Sequence, residues 1–442
     1  VFIQNRGAAY TVAGEVSSRI KLTSWILGFA PLALGVGILF VKFDRDANQY
    51  ATWLPVIGSA LVGAAMLFVI GTKLSEKFDQ ARRASVIGAT QAASARMADR
   101  HTPFVFDDWY VAAFADELGP QLLARTLLGR GIVMYRTAQG QVVAMEDRCP
   151  HRSMPLSAGE LKDDHIVCAY HGMRFNTQGD CVHVPSQATC PRSMGVRTYV
   201  TLERGPVVWI WMGDVDTADL SRLPPQPWLE SEAWATSKGY LHLKASYVRL
   251  HENLLDLTHL SFLHAKSFGT PDYASAAYDT EIGDGHFVVM RNVVPTTLPP
   301  VWAEPTGIKG QGEAARIVRS EFRSPAMHEV SVSFYNCTLP EEARDTFRIR
   351  TAHLPTPETA TSTHYFVVHG RDFSQQDKAM TTFMHDQLFV AFNEDVTGLA
   401  LQEEVLARTP EHALYEFSVG ADGPSVAMRR YLLSRATPKA AG

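Results

Sequence analysis

Two stretches near the start of the chain break the usual alternation of apolar and polar positions. Residues 22–41, LTSWILGFAPLALGVGILFV, carry no charge over 20 positions. At the helical rise they span roughly 30 Å, the thickness of a bilayer's hydrocarbon core. After a polar turn at Asp44, Arg45 and Asp46, a second uncharged run covers residues 47–72, with its apolar heart from Trp53 to Gly71. A surface helix of a soluble domain shows an apolar stripe, whereas these segments are apolar on every side. A transmembrane helical hairpin is therefore expected over residues 1–82, with membrane association through residues 22–72; a buried hairpin in a soluble domain is the alternative. Arg6, Arg19 and Lys21 precede it, and Lys73, Lys77, Arg82 and Arg83 follow it, which favours both ends in the cytoplasm.

Residues 83–103 shift to Ala, Ser and Gln and read as a linker. From Phe104 the texture changes to short runs with period-two alternation. TLLGRGIVMYRTAQGQVVAMEDR reads as strands separated by glycine turns, and such strands continue to about Gly213, predicting a small β domain over 104–222. The proline-rich Leu223–Pro227 marks a boundary. Beyond it, strand-like segments (Tyr240–Tyr247, His286–Val294, His328–Phe334, Thr363–His369) alternate with helices near 248–265 and 376–408. That pattern predicts an α+β domain on an antiparallel sheet over 223–442.

Composition narrows the class. The 442 residues are 46% hydrophobic with a formal net charge of −5. No basic run suited to a phosphate backbone is present, so no nucleic-acid partner is expected. The five cysteines (149, 168, 181, 190 and 337) are too few for a disulfide scaffold and fit a reducing compartment.

The chemistry lies in CPHRSMPLSAGELKDDHIVCAYHGMRF. Cys149–Pro150–His151 is followed, after sixteen residues, by Cys168–Ala169–Tyr170–His171. Two short loops thus each supply a thiolate and an imidazole. Soft thiolates hold iron–sulfur clusters, and two histidines on one iron define a Rieske centre with a raised potential. Zinc is the structural alternative, although Cys-x-His is unlike a finger's Cys-x-x-Cys. Cys181 and Cys190 read as ordinary loop cysteines.

This segment resembles the Rieske domain of bacterial aromatic-ring oxygenases, which implies a [2Fe-2S] cluster on Cys149, His151, Cys168 and His171. Downstream, HENLLDLTHLSFLHAKSF carries Asp256, His259 and His264 in the pattern D-x-x-H-x-x-x-x-H. A non-haem Fe(II) site needs two histidines and a carboxylate with positions left open. On an ideal helix a spacing of five sets the two histidines about 140° apart, so the helix must distort or end between them. AFNEDVTGLALQEE is similar to the family's carboxylate segment and implies Asp395 as third ligand, with Glu394 a solvated neighbour. Asp256, one turn before His259, is positioned to hydrogen-bond that ligand. The resemblance gives Asp256 a second partner, His171 of a neighbouring subunit, and so implies a homotrimer. Asn253 is placed near the iron. His251 is a candidate pocket residue, whereas His165, His183, His353, His364 and His369 read as packed or solvated.

WYVAAFADELGPQLLARTLLGRGIVMYR, ENLLDLTHLSFLH and TPETATSTHYFVVHGRDF resemble the vanillate O-demethylase and dicamba monooxygenase branch, over roughly Phe104 to Arg408. The branch implies a Rieske domain, a helix-grip catalytic domain, and hydroxylation or O-demethylation of an aromatic substrate with O2. The hairpin and its flanking positive charges place the protein at a bacterial-type inner membrane with its catalytic domains in the cytoplasm, or in the cytoplasm if the hairpin is not an anchor. Gly310–Gln311–Gly312 lacks the context of a nucleotide loop, so NAD(P)H is expected on a separate reductase, with or without a ferredoxin. The apolar N-terminus departs from that branch. It raises a membrane-anchored oxygenase of sterol- or pigment-like substrates as one alternative, and a Rieske electron carrier without oxygenase activity as another.

Overall fold

The computed structural model describes residues 62–75, 77, 104–191, 193–414 and 416–436. The chain divides into two compact units, Val1–Thr90 and Gln91–Gly442. In the first, residues 62–75 are helical, with Val62, Met66, Leu67, Phe68, Val69 and Ile70 exposed. Among the described residues no helix is long and apolar enough to cross a membrane. The first expected span (22–41), residues 47–61 of the second, and the linker 83–103 lie outside the described residues.

The second unit begins with eleven short strands: β1 (Trp109–Phe114), β2 (Leu123–Leu127), β3 (Arg130–Arg136), β4 (Val142–Glu146), β5 (Glu160–Lys162), β6 (His165–Val167), β7 (Arg174–Phe175), β8 (Cys181–His183), β9 (Thr198–Tyr199), β10 (Thr201–Arg204) and β11 (Val207–Trp211). They form three antiparallel sheets, in the orders β1-β11-β10, β2-β3-β4-β9 and β5-β6-β7-β8. The third carries the two Cys/His loops, one entering β5 and one joining β6 to β7. Its core packs Leu156, Ile166, Phe175 and Val184 around Cys149 and Cys168.

The rest is one antiparallel sheet of seven strands: β12 (Ala235–Leu243), β13 (Tyr278–Gly283), β14 (His286–Thr296), β15 (Ala314–Ser324), β16 (Met327–Asn336), β17 (Phe347–Thr359) and β18 (Ser362–Arg371). Their order is β12-β18-β17-β16-β15-β14-β13. The helices are α1 (Tyr247–Leu255), α2 (Pro300–Thr306), α3 (Lys378–Arg408) and α4 (Gly423–Ala436). Asp377 caps α3 by accepting from the Met380 N–H. The buried stripe of α3 runs Met384, Leu388, Ala391, Phe392, Asp395, Leu399, so a carboxylate occupies a position otherwise apolar. Gly239 lets α3 approach β12: a Cβ there would lie 2.2 Å from the Phe389 ring.

A seam joins the small sheets to the large one. Pro355 and Pro357 lie on β17 past His353, where pairing with β16 has stopped. A strand can hold prolines where no neighbour needs their missing N–H. The carbonyls of Pro357 and Glu358 instead accept from Leu128 N (2.7 Å) and Gly129 N (2.9 Å), and the Thr356 hydroxyl donates to Val111 O (2.7 Å). Ala352, Leu354, Phe366 and Val368 share a core there with Trp109, Trp209 and Trp211.

Candidate active site

Both Cys/His loops close the same way. Cys149 N donates to Met154 O (2.8 Å) and Ser153 N to Cys149 O (2.9 Å); Cys168 N donates to Met173 O (2.8 Å) and Gly172 N to Cys168 O (2.9 Å). The fifth residue of each loop is left-handed, Ser153 at φ 57° and Gly172 at φ 68°. Cys149 and Cys168 are buried, and burial together with the adjacent Cys168 thiol pushes the Cys149 thiol up. His151 and His171 bring their Nδ1 atoms to 3.2 Å. His171 is exposed and Tyr170 lies over it, ring centroids 3.9 Å apart. The four residues thus pair thiol with thiol and imidazole with imidazole, a donor set that fits a Rieske cluster.

The second site begins where α1 stops. Ser246 caps its start, and at its end Asp256 Oδ1 accepts from Thr258 N (2.7 Å). That local side-chain bond competes with the helical ladder. The chain then enters a short 3-10 turn, His259–Ser261, and bends back so that Gly269 N meets His264 O (2.9 Å). The helix expected over 248–265 thus stops at Leu255, before both histidines rather than between them, because Asp256 turns to bond Thr258; the two rings lie 5.0 Å apart. Gly269 is required for this bend: a Cβ there would sit 1.7 Å from Leu260 O.

His259, His264 and Asp395 each aim one ligand atom at a common point, all within 4.8 Å of one another. Asp395 Oδ1 is 3.1 Å from His264 Nε2 and 3.5 Å from His259 Nε2, and it accepts from Asn253 Nδ2 at 3.0 Å. Their side chains are 17%, 1% and 6% exposed, so a carboxylate and two imidazoles converge almost out of water. His264 Nε2 is buried and makes no well-aligned hydrogen bond although Asp395 Oδ1 lies 3.1 Å away, as fits two ligands that face one metal. Burial acts against charge on His264, but Asp395 and Glu394 outweigh it and raise its pKa. Burial likewise works to raise the Asp256 carboxyl, but His259 and the Thr258 bonds hold it below its ordinary value.

Several expectations need correction. Glu394 is no solvated neighbour: its Oε2 faces His264 Nδ1 at 2.8 Å and accepts from Ser267 Oγ at 2.7 Å. Asp256 Oδ2 stands 3.8 Å from His259 Nδ1, beyond hydrogen-bond length. His251 is fully buried against Phe322 and bonds Pro325 O through Nε2, so it is a packed residue whose pKa burial lowers to about 4. Sequence reasoning missed Ser267 and Gly269. Ser267, three positions after His264, offered a signal only once that loop was known to turn back.

Comparison with known proteins agrees with this geometry. The family described as the Rieske [2Fe-2S] domain matches residues 108–200, and the vanillate O-demethylase oxygenase C-terminal domain matches residues 243–437. The toluene-4-sulfonate monooxygenase system iron-sulfur subunit of Comamonas testosteroni is 33% identical, over 75% of this chain and 96% of that protein. The vanillate O-demethylase oxygenase subunit of Pseudomonas sp. (strain HR199 / DSM 7063) is 30% identical, over 71% and 90%. Dicamba monooxygenase bound to 3,6-dichlorosalicylic acid superposes with a TM-score of 0.71 at 28% identity, covering 76% of this chain and 98% of that one. The same enzyme with non-haem iron and dicamba gives a TM-score of 0.63 at 27% identity, with the same coverage.

Proposed function

This chain belongs to the Rieske non-haem iron oxygenases of the vanillate O-demethylase and dicamba monooxygenase branch, and from that premise we propose that it is the oxygenase component of a multicomponent monooxygenase that hydroxylates or O-demethylates an aromatic substrate. The observation carrying this reading is the meeting of His259, His264 and Asp395 in one chain with a Rieske domain. A cluster on Cys149, His151, Cys168 and His171 and an iron on the His/His/Asp triad supply electron storage and dioxygen chemistry when bound.

The protein's own residues prepare that site. With Nδ1–H of His264 donating to Glu394, Nε2 would be the lone-pair nitrogen left for a metal beside Asp395. Asn253 donates to Asp395 and holds one carboxylate oxygen in place. Asp256 keeps a fixed orientation through Thr258 and is 38% exposed, open to a neighbour. In the proposed homotrimer that neighbour is His171 of the next copy, itself exposed at the tip of its loop. Reductant arrives from a separate NAD(P)H-dependent reductase.

The exposed apolar helix at 62–75 and the uncharged runs at 22–41 and 47–72 support a membrane anchor, with catalytic domains on the cytoplasmic side. A lipophilic substrate is the second reading that this feature favours.

The test is a panel of methoxybenzoates and sterols supplied to purified protein with a matched reductase. Formaldehyde release with stoichiometric oxygen uptake from a methoxybenzoate supports the first reading. Products from sterols alone would replace it with the second, and no oxygenated product from either would refute both.

A further inference from the structure

Arg291 lies in the middle of β14, 2% exposed, opposite Tyr278 on β13 and Val318 on β15. A buried guanidinium is ordinarily matched with a carboxylate, as Arg429 is with Glu252 and Glu416. Arg291 instead donates to three neutral oxygens, all in the segment that carries the iron histidines. Its Nη2 donates to the Thr258 hydroxyl at 2.6 Å, and its Nη1 to the carbonyls of Ala274 (3.1 Å) and Tyr273. One side chain on the sheet therefore fastens both ends of residues 258–274, with His259 and His264 between them. Within that span Ser261 makes a second tie, its hydroxyl donating to Thr270 O (2.7 Å) and accepting from Ala274 N (2.8 Å). Thr258 works in two directions. Its hydroxyl is held by Arg291, and its N–H holds Asp256 Oδ1 (2.7 Å), while Asp256 Oδ2 stays 3.8 Å from His259 Nδ1.

We infer that Arg291 is a positioning residue for Asp256: by gripping the Thr258 hydroxyl it fixes the residue whose amide orients the carboxylate, and so keeps Oδ2 beside His259 and open to the neighbouring copy. The inference rests on the reading of Asp256 as the bridge between copies. The two ties have separate effects. Ser261, with the bond from Gly269 N to His264 O, keeps the loop closed around the iron ligands. The Arg291–Thr258 bond acts one residue ahead of His259 and sets the carboxylate. A hydrogen bond from a charged donor at 2.6 Å is a strong one. Without it the Asp256 side chain, 38% exposed, has water as a competing partner and swings more widely. A displacement of about 1 Å in a positioned group costs about 100-fold in rate where geometry is decisive.

The experiment uses the full chain loaded with cluster and ferric mononuclear iron, and no substrate. A photoexcited deazaflavin reduces the cluster in a flash, and the cluster's absorbance reports the electron passing on to the mononuclear iron. Thr258→Val keeps the side chain's shape and leaves Arg291 its two carbonyls; it should slow that transfer about 10-fold or more, at unchanged iron content. Thr258→Ser, which keeps the hydroxyl, should match wild type, and Arg291→Met should slow transfer as Thr258→Val does. Asp256→Asn should be slow by itself, and adding Thr258→Val should slow it no further, because both act through one carboxylate. Transfer at the wild-type rate in Thr258→Val overturns the inference. So does further slowing of the Asp256→Asn chain, or loss of the mononuclear iron from Thr258→Val, which would make the bond a staple for the metal loop alone. A fast Asp256→Asn chain would sink the bridge between copies and this inference with it, whereas a slow Asp256→Asn beside a fast Thr258→Val sinks the inference alone.

Discussion

Replacing Glu394 with alanine should loosen the mononuclear iron without unfolding the chain. In the native site Glu394 Oε2 holds both His264 Nδ1 (2.8 Å) and Ser267 Oγ (2.7 Å). The His264 side chain is only 1% exposed, so water cannot replace that acceptor at little cost. Loss of such an outer partner typically weakens metal binding about 10–100-fold. That corresponds to about 1.4–2.7 kcal/mol. Because Glu394 itself is 27% exposed, its charge is partly screened, and Glu394→Gln, which keeps an oxygen acceptor, should lose less than the alanine variant. The assay is Fe(II) reconstitution against a graded series of a competing chelator, with iron counted per chain and the cluster followed by its own absorbance. Wild type should hold three irons where Glu394→Ala holds two, the missing one being the mononuclear iron. An alanine variant that keeps its third iron at the wild-type chelator midpoint would refute the reasoning, because the carboxylate would then contribute nothing to the site.

Gly269→Ala should cost at least 2 kcal/mol or so, in the range of overpacked cores, because the new carbon meets Leu260 O at 1.7 Å; urea melts would read the stability, and an unchanged midpoint would disprove the required bend. Asp256→Asn should leave cluster and iron contents intact while turnover collapses, and unchanged oxygen uptake would remove the proposed bridge between copies. Stability should fall as pH drops below about 6.5, the ordinary histidine value. Burial lowers His251 to about 4 and His369 to about 3, so the unfolded chain takes up protons the folded one refuses. Each adds a slope of about 1.4 kcal/mol per pH unit across that window. Urea midpoints that stay flat from neutral to acid pH would contradict this.

The cluster loops were legible because their chemistry is contiguous: Cys149–His151 and Cys168–His171 announce themselves at fixed spacing. The iron histidines were legible for the same reason, and their angular mismatch showed that one regular helix could not carry both, but not that α1 would stop at Leu255, ahead of the pair. Glu394 was not, since a carboxylate beside another carboxylate on a helix reads as a surface pair until α3 is seen to bury Asp395 in an apolar stripe. Strand β15 escaped notice because Arg316, Arg319, Glu321 and Arg323 interrupt its pattern. Several of these charges are paired across the sheet, as Arg319 is with Glu281. Strand β17 escaped because Pro355 and Pro357 argue against a strand unless one flank is unpaired, which only tertiary structure reveals.

That unpaired flank has a consequence for modularity. Since Leu128 and Gly129 bond the β17 backbone, and Leu354 and Phe366 share a core with Trp109 and Trp211, the small β region is not a cassette that could be exchanged between relatives. A chimaera that changed electron-transfer domains at the proline-rich boundary would strand two carbonyls and uncover an apolar face. A workable exchange must carry β17 and β18 along with the small domain, which places the practical cut within the catalytic sheet itself.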